Sequence, residues 1–219
     1  MAQQRPGTEQ VKRPFVLPGL QGEKAVMLVY EGDKNGDRVP SAEEIGVTPL
    51  QGDGDFRSAE SIALLASGKL EFRFVEIGDL PLYNDDLLAD GVPASVARVK
   101  AEIEAADAVL FVTPEYNHGV PAALKNAFDV LYPEWVHKGA ALVSYGADGG
   151  VRAVEHWRTI LANAQMHVVR GQVSFSTMLE VEQGEDGDVF APAERRTKEL
   201  GNVLRQLTKL TEATASLRA

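Results

Sequence analysis

The stretch from Ala108 to Leu131 constrains the fold more than any other part of this chain. It opens with the continuous apolar run Ala108 to Val112, long enough for a buried strand and too short for a core helix. The run stops at Thr113, and Pro114, Asn117 and Gly119 then supply a turn. Pro121 follows at a position where a helix can begin without losing a hydrogen bond. Beyond it, Leu124, Ala127, Phe128 and Leu131 fall on one helical face. A strand, an exposed turn and a helix start in direct succession are the elements of an α/β crossover. In an open parallel sheet, ligands bind beyond the carboxyl ends of the strands, which is where this turn would stand.

The same alternation recurs along the chain. Ala25 to Tyr30 is a short apolar run, and Glu71 to Ile77 alternates Phe72 and Phe74 with charged neighbours. Val96, Val99 and Ile103 repeat at helical spacing. Ala140 to Ser144 reads as a strand ending in Tyr145-Gly-Ala-Asp-Gly-Gly150. Val154, Trp157, Leu161 and Ala164 mark another helix, and His167 to Phe175 reads as a final strand. Glu182 to Asp188 reads as an acidic, glycine-containing loop before a closing helix built on Leu200, Val203, Leu204, Leu207 and Leu210. Strands alternating with helices predict a parallel sheet with right-handed crossovers. The expectation is a flavodoxin-like, doubly wound, five-stranded α/β sheet in the order 2-1-3-4-5, with helices on both faces.

Residues 1–23, rich in Gln, Gly and Pro, are expected to be a flexible arm, and residues 24–219 one domain. Within that domain, 31–56 reads as an irregular insertion, long for a connection in a compact fold. The net charge of −10 argues against a nucleic-acid or anionic-membrane surface. A small-molecule partner is the better expectation. The chain has no cysteine, so disulfides, thiolate metal sites and a Cys nucleophile are excluded, and redox chemistry needs a bound cofactor. With no apolar span of membrane length and no signal-peptide pattern near the start, the expected compartment is the cytoplasm.

The segment Thr113-Pro-Glu-Tyr-Asn-His-Gly-Val-Pro-Ala-Ala-Leu-Lys-Asn-Ala-Phe-Asp129 resembles the signature of the NADPH-dependent FMN reductase family. The likeness extends from Leu80-Pro-Leu-Tyr-Asn84 through Ser144-Tyr-Gly-Ala-Asp-Gly-Gly-Val-Arg-Ala153 to the C-terminal helix. The resemblance implies an FMN-dependent NAD(P)H oxidoreductase passing hydride from NADPH or NADH to a quinone, free flavin, azo compound or similar acceptor. It implies that Pro114, Glu115, Tyr116, Asn117, His118 and Gly119 line the flavin ring, with Tyr116 as an aromatic wall. It further implies that Ser144, Tyr145, Gly146, Gly149 and Gly150 close the other side, their glycines allowing close backbone approach. No protein acid or base need be essential, so no catalytic side chain and no metal ligand is expected. Family members commonly self-associate, and a homodimer or homotetramer is the expected assembly. Tyr132 and Trp135 are candidates for a subunit contact or for packing within the subunit, and Lys125 and Asp129 read as solvated helix positions.

The departure from the family pattern lies at the phosphate loop. Gly54-Asp-Phe-Arg-Ser-Ala-Glu-Ser-Ile62 is the nearest equivalent, with Arg57 as the phosphate contact. Asp55 and Glu60 replace small hydroxyl residues, and carboxylates repel a dianionic phosphate. That motivates an alternative reading, a non-catalytic flavodoxin-like binding or assembly protein with a degraded phosphate loop. Asp33 to Asp37 with Glu44 resembles parts of a calcium loop, but Arg38 stands where the sharp turn needs Gly. The histidines His118, His137, His156 and His167 have no metal-protease spacing; only His118 sits in the turn, within reach of a substrate.

Overall fold

The computed structural model describes residues 24–29, 71–89, 91–184, 187–190, 193 and 195–218. Strands β1 (Lys24–Val29), β2 (Glu71–Val75), β3 (Ala108–Pro114), β4 (Gly139–Gly146) and β5 (His167–Ser176) form one sheet. β1 pairs with β2 on one side and β3 on the other; β3 pairs with β4, and β4 with β5, all parallel. Helices α1 (Ala94–Glu104), α2 (Ala122–Asp129), α3 (Val151–Asn163) and α4 (Arg195–Thr214) separate or follow the strands. Every residue of β3 is buried, which is why its sequence shows an apolar run and no alternation.

α1, α2 and α3 share one core. Val99, Ile103, Leu124, Phe128, Trp157 and Leu161 pack there with Val109, Phe111 and Leu142 of the sheet. Phe111 stacks on Trp157 at 5.5 Å between ring centres, and Phe128 stacks on Trp135 at 5.0 Å. Both indoles are fully buried and each finds an acceptor: Trp135 Nε1 donates to the Phe128 carbonyl at 3.0 Å, Trp157 Nε1 to Thr113 Oγ1 at 3.2 Å. Trp135 therefore packs within the subunit, while Tyr132 is half exposed. α4 packs on β4 and β5, and a Cβ at Gly139 would come within 2.9 Å of Thr211 Oγ1 and 3.4 Å of Leu207.

Two expectations need correction. Glu182 to Gly184 and Gly187 to Asp188 are strand rather than loop: β6 (Val181–Gly184) and β7 (Gly187–Phe190) pair antiparallel in a separate two-stranded sheet. β5 is consequently not the last strand. Each strand is only four residues long and carries a glycine and an acidic residue, so no alternating apolar pattern marks it. The arm 1–23, the insertion 31–56 with its calcium-like residues, and the phosphate-loop equivalent 54–62 with Arg57 lie outside the described residues.

Candidate active site

The parallel strands carry two chain turns to the same edge of the sheet. Register pairs Thr113 with Ser144 and Pro114 with Tyr145, so the turn after β3 and the turn after β4 leave side by side. The Glu115 amide extends this pairing by donating to the Tyr145 carbonyl at 3.1 Å.

The first turn is a miniature hairpin. Tyr116 N donates to Gly119 O at 3.2 Å and Gly119 N to Tyr116 O at 2.9 Å, with Asn117 and His118 between them at φ 49° and 63°. Two successive left-handed residues across such a pair are the signature of a type I′ turn. Asn and His tolerate that region better than most side chains, and residues held there tend to cluster at functional sites. Tyr116, Asn117 and His118 are all exposed.

The second turn, Gly146 to Gly150, is shaped by glycine. Gly149 and Gly150 sit at φ 79° and 70°, and a Cβ on Gly150 would lie 2.8 Å from the Tyr145 carbonyl oxygen. Only glycine fits there. Ser144 and Tyr145, both assigned to this side of the site from sequence, have buried side chains. Ser144 Oγ donates to the Gly149 carbonyl at 2.6 Å and lies 3.2 Å from Ser174 Oγ. Ser174 Oγ in turn accepts from Gln172 Nε2 at 3.0 Å, and Gln172 Oε1 accepts from Arg158 at 3.2 Å. This chain holds the Gly149 carbonyl inward. In a planar trans peptide the next N–H then points the other way, so the Gly150 amide faces away from Ser144.

Glu115 joins the turns. Its side chain is 8% exposed; Oε1 accepts from Arg152 at 2.7 Å, and Oε2 accepts from the backbone amides of Arg152 at 2.9 Å and Ala153 at 3.3 Å. Those amides belong to the first turn of α3, whose own N-cap residue, Gly150, has no side chain to serve them. Burial pushes the Glu115 carboxyl up, but the Arg152 guanidinium and the two amides outweigh it and hold it below the ordinary range. Its carboxylate is thus directed into the protein.

Sequence reasoning missed Arg152, Asn126, Gln172 and Ser174. Asn126 takes the Tyr83 amide at 2.8 Å and donates to the Pro81 carbonyl at 3.0 Å, tying the Leu80 to Asn84 loop to α2. Its place inside the Lys125-Asn-Ala-Phe-Asp129 segment was the available signal. Lys125 and Asp129 pair with each other on the partly exposed face of α2, at 2.5 Å. A hollow of about 320 Å³ between α2 and α3, with Tyr132 on its rim, contains none of the turn residues. Among the described residues no group of three or more His, Cys, Asp or Glu is placed to hold a metal, and no helix is long and apolar enough to cross a membrane.

Residues 57–180 match the NADPH-dependent FMN reductase family. A quinone reductase of Pseudomonas putida is 49% identical over 102 residues, covering 43% of this chain and 55% of the relative. A potato (Solanum tuberosum) NAD(P)H:quinone oxidoreductase is 34% identical over 146 residues, covering 64% of this chain and 75% of its own length. The chain spans about 55% of the length of the two Pseudomonas putida quinone reductases it matches. Among solved structures, the flavoenzyme NAD(P)H:(acceptor) oxidoreductase FerB of Paracoccus denitrificans superposes with a TM-score of 0.64 at 30% identity, covering 88% of this chain and 98% of FerB. An oxidoreductase of Corynebacterium diphtheriae, TM-score 0.59 at 14% identity, shares the fold alone. The fold is the flavodoxin-like α/β arrangement with a parallel sheet, and the chain belongs to the NADPH-dependent FMN reductase family.

Proposed function

We propose that this protein is an FMN-dependent NAD(P)H oxidoreductase acting on quinones or comparable acceptors. One observation carries the reading: two turns at the carboxyl edge of adjacent parallel strands, locked together through Glu115, one presenting Tyr116 and the other a glycine cradle that a Cβ would fill. Bound FMN supplies the redox chemistry, for the net reaction NAD(P)H + H⁺ + quinone → NAD(P)⁺ + hydroquinone. The chain supplies position and electrostatics. Tyr116 walls the ring; the backbone from Pro114 through Asn117, His118 and Gly119, with Gly146, Gly149 and Gly150, lines its polar edge. Ser144, Tyr145 and Glu115 act from beneath, fixing the orientation of those peptides. Arg57 contacts the phosphate.

Further features belong to the same reading. Complete burial of β3, and the separation of α4 from the core shared by α1 to α3, support a doubly wound sheet in the order 2-1-3-4-5 with helices on both faces. The described elements from β1 to α4 form one FMN-binding domain. The half-exposed Tyr132 beside the α2–α3 hollow supports self-association as a homodimer or homotetramer. The compartment is the cytoplasm.

Titration of flavin-stripped protein with FMN, followed by flavin fluorescence, tests the function. Saturable binding weakened by Tyr116→Ala and by Arg57→Ala, with quinone-dependent NAD(P)H oxidation, is the expected result. Failure to bind FMN at high micromolar concentration overturns it and favours the binding-module alternative that Asp55 and Glu60 motivate.

A further inference from the structure

The turn that follows β5 places two large apolar side chains in water at the edge of the proposed site. Met178 is 75% exposed and Leu179 81%. The turn is pinned at both ends. Thr177 N donates to the Gly146 carbonyl at 2.9 Å, and Ser176 Oγ donates to the Ala147 carbonyl at 2.8 Å. At the far end, Leu179 N and Glu180 N both reach the Ser176 carbonyl, at 3.2 and 2.9 Å, while Glu180 Oε2 accepts from Ser176 N at 3.0 Å. Turn tips ordinarily carry small or polar residues. A turn fastened this way cannot fold its tip inward, so the exposure of Met178 and Leu179 is built in. Strand register puts Ser176 opposite Gly146, and Met178 is one Cα step, about 3.8 Å, beyond the residue bonded to Gly146.

We propose that Met178 and Leu179 form an apolar wall of the acceptor subsite and select quinones with a hydrophobic ring over small hydrophilic oxidants. The inference rests on the flavin-reductase reading, since it is the Gly146 to Gly150 cradle that brings the acceptor to this turn. A quinone gains two electrons and two protons on reduction and keeps its apolar ring, which the wall contacts before and after the reaction. Methionine, flexible and polarizable, adapts to rings of differing substitution.

The test is the double variant Met178→Ser/Leu179→Ser, loaded with FMN and assayed with 2-methyl-1,4-naphthoquinone and with ferricyanide. The expected result is a loss of about tenfold in kcat/KM for the naphthoquinone, mostly in KM. Ferricyanide turnover, FMN affinity and mass in solution stay unchanged, and the Met178→Leu/Leu179→Met variant restores the naphthoquinone value. Equal losses with both acceptors, no loss, or a change in assembly mass overturns the wall. Wild-type protein that binds no FMN overturns the reductase reading and the wall with it, and the FMN titration made first tells that failure from the others.

Discussion

Glu115 and Glu180 are built from the same parts and do different work. Each is a buried carboxylate that accepts two backbone amides and one arginine, and in each case the arginine is the second residue of a helix, Arg152 in α3 and Arg196 in α4. They differ in their access to water. The Arg152 side chain is 40% exposed, whereas Arg196 is 11% exposed and lies over the Phe175 ring at 5.5 Å. A pair with one partner in water is partly screened and cheap to rearrange; a sealed pair is costly to break. Glu115 is thus an adjustable clamp under the candidate site, and Glu180 a structural lock that sets the turn after β5.

The largest expected effect is at the lock. Glu180→Ala removes the buried carboxylate of Arg196, leaving it only the more exposed Glu199, and should destabilise the fold by about 3 kcal/mol, read from urea unfolding. Glu115→Ala should cost less stability, about 1–2 kcal/mol for the uncapped α3 amides, but lower FMN affinity more than tenfold. If Glu180→Ala weakens FMN as much as Glu115→Ala does, the two carboxylates do not divide the work in this way.

The pH dependence sharpens the contrast further. For both carboxyls burial acts upward, and the arginine and amide hydrogen bonds overcome it, so both lie below the ordinary glutamate value in the folded state. Their stabilisation is therefore complete above about pH 4.3 and is lost as pH falls through the lowered folded values. Unfolding midpoints measured down the acid range should fall there, and Glu180→Gln should flatten that fall more than Glu115→Gln. The smallest effect is expected for Ser174→Ala, which cuts the chain between Ser144 and Gln172 and should cost under about 1 kcal/mol. A shift in the midpoint potential of bound FMN with little change in stability is its expected signature.

What could be read from the sequence follows from how far apart the partners lie. The unit β3, turn and α2 was legible because an apolar run, a proline and a helical stripe are adjacent in the chain. The two glycines of the second turn were legible for the same reason. That Glu115 caps α3 was not, since its amide partners are 37 and 38 residues away and nothing local marks the contact. Ser144 and Tyr145 stand next to the second turn, as their adjacency in the chain implies, but the burial of their side chains is a tertiary property that leaves no local mark. The β6–β7 hairpin was not legible because its strands, Val-Glu-Gln-Gly and Gly-Asp-Val-Phe, are too short to carry an alternating apolar pattern.

Trp157 sits one hydrogen bond below the first turn, through Thr113, and the chain's other tryptophan, Trp135, is equally shut away from water. The protein therefore carries two intrinsic fluorophores, both in its interior. Their emission should lie to the blue in the native state and move red when the chain opens, giving a label-free signal for unfolding. Trp157 also stands close enough to the Tyr116 hairpin for an absorbing molecule seated there to drain its excited state, so occupancy can be followed by the protein's own light.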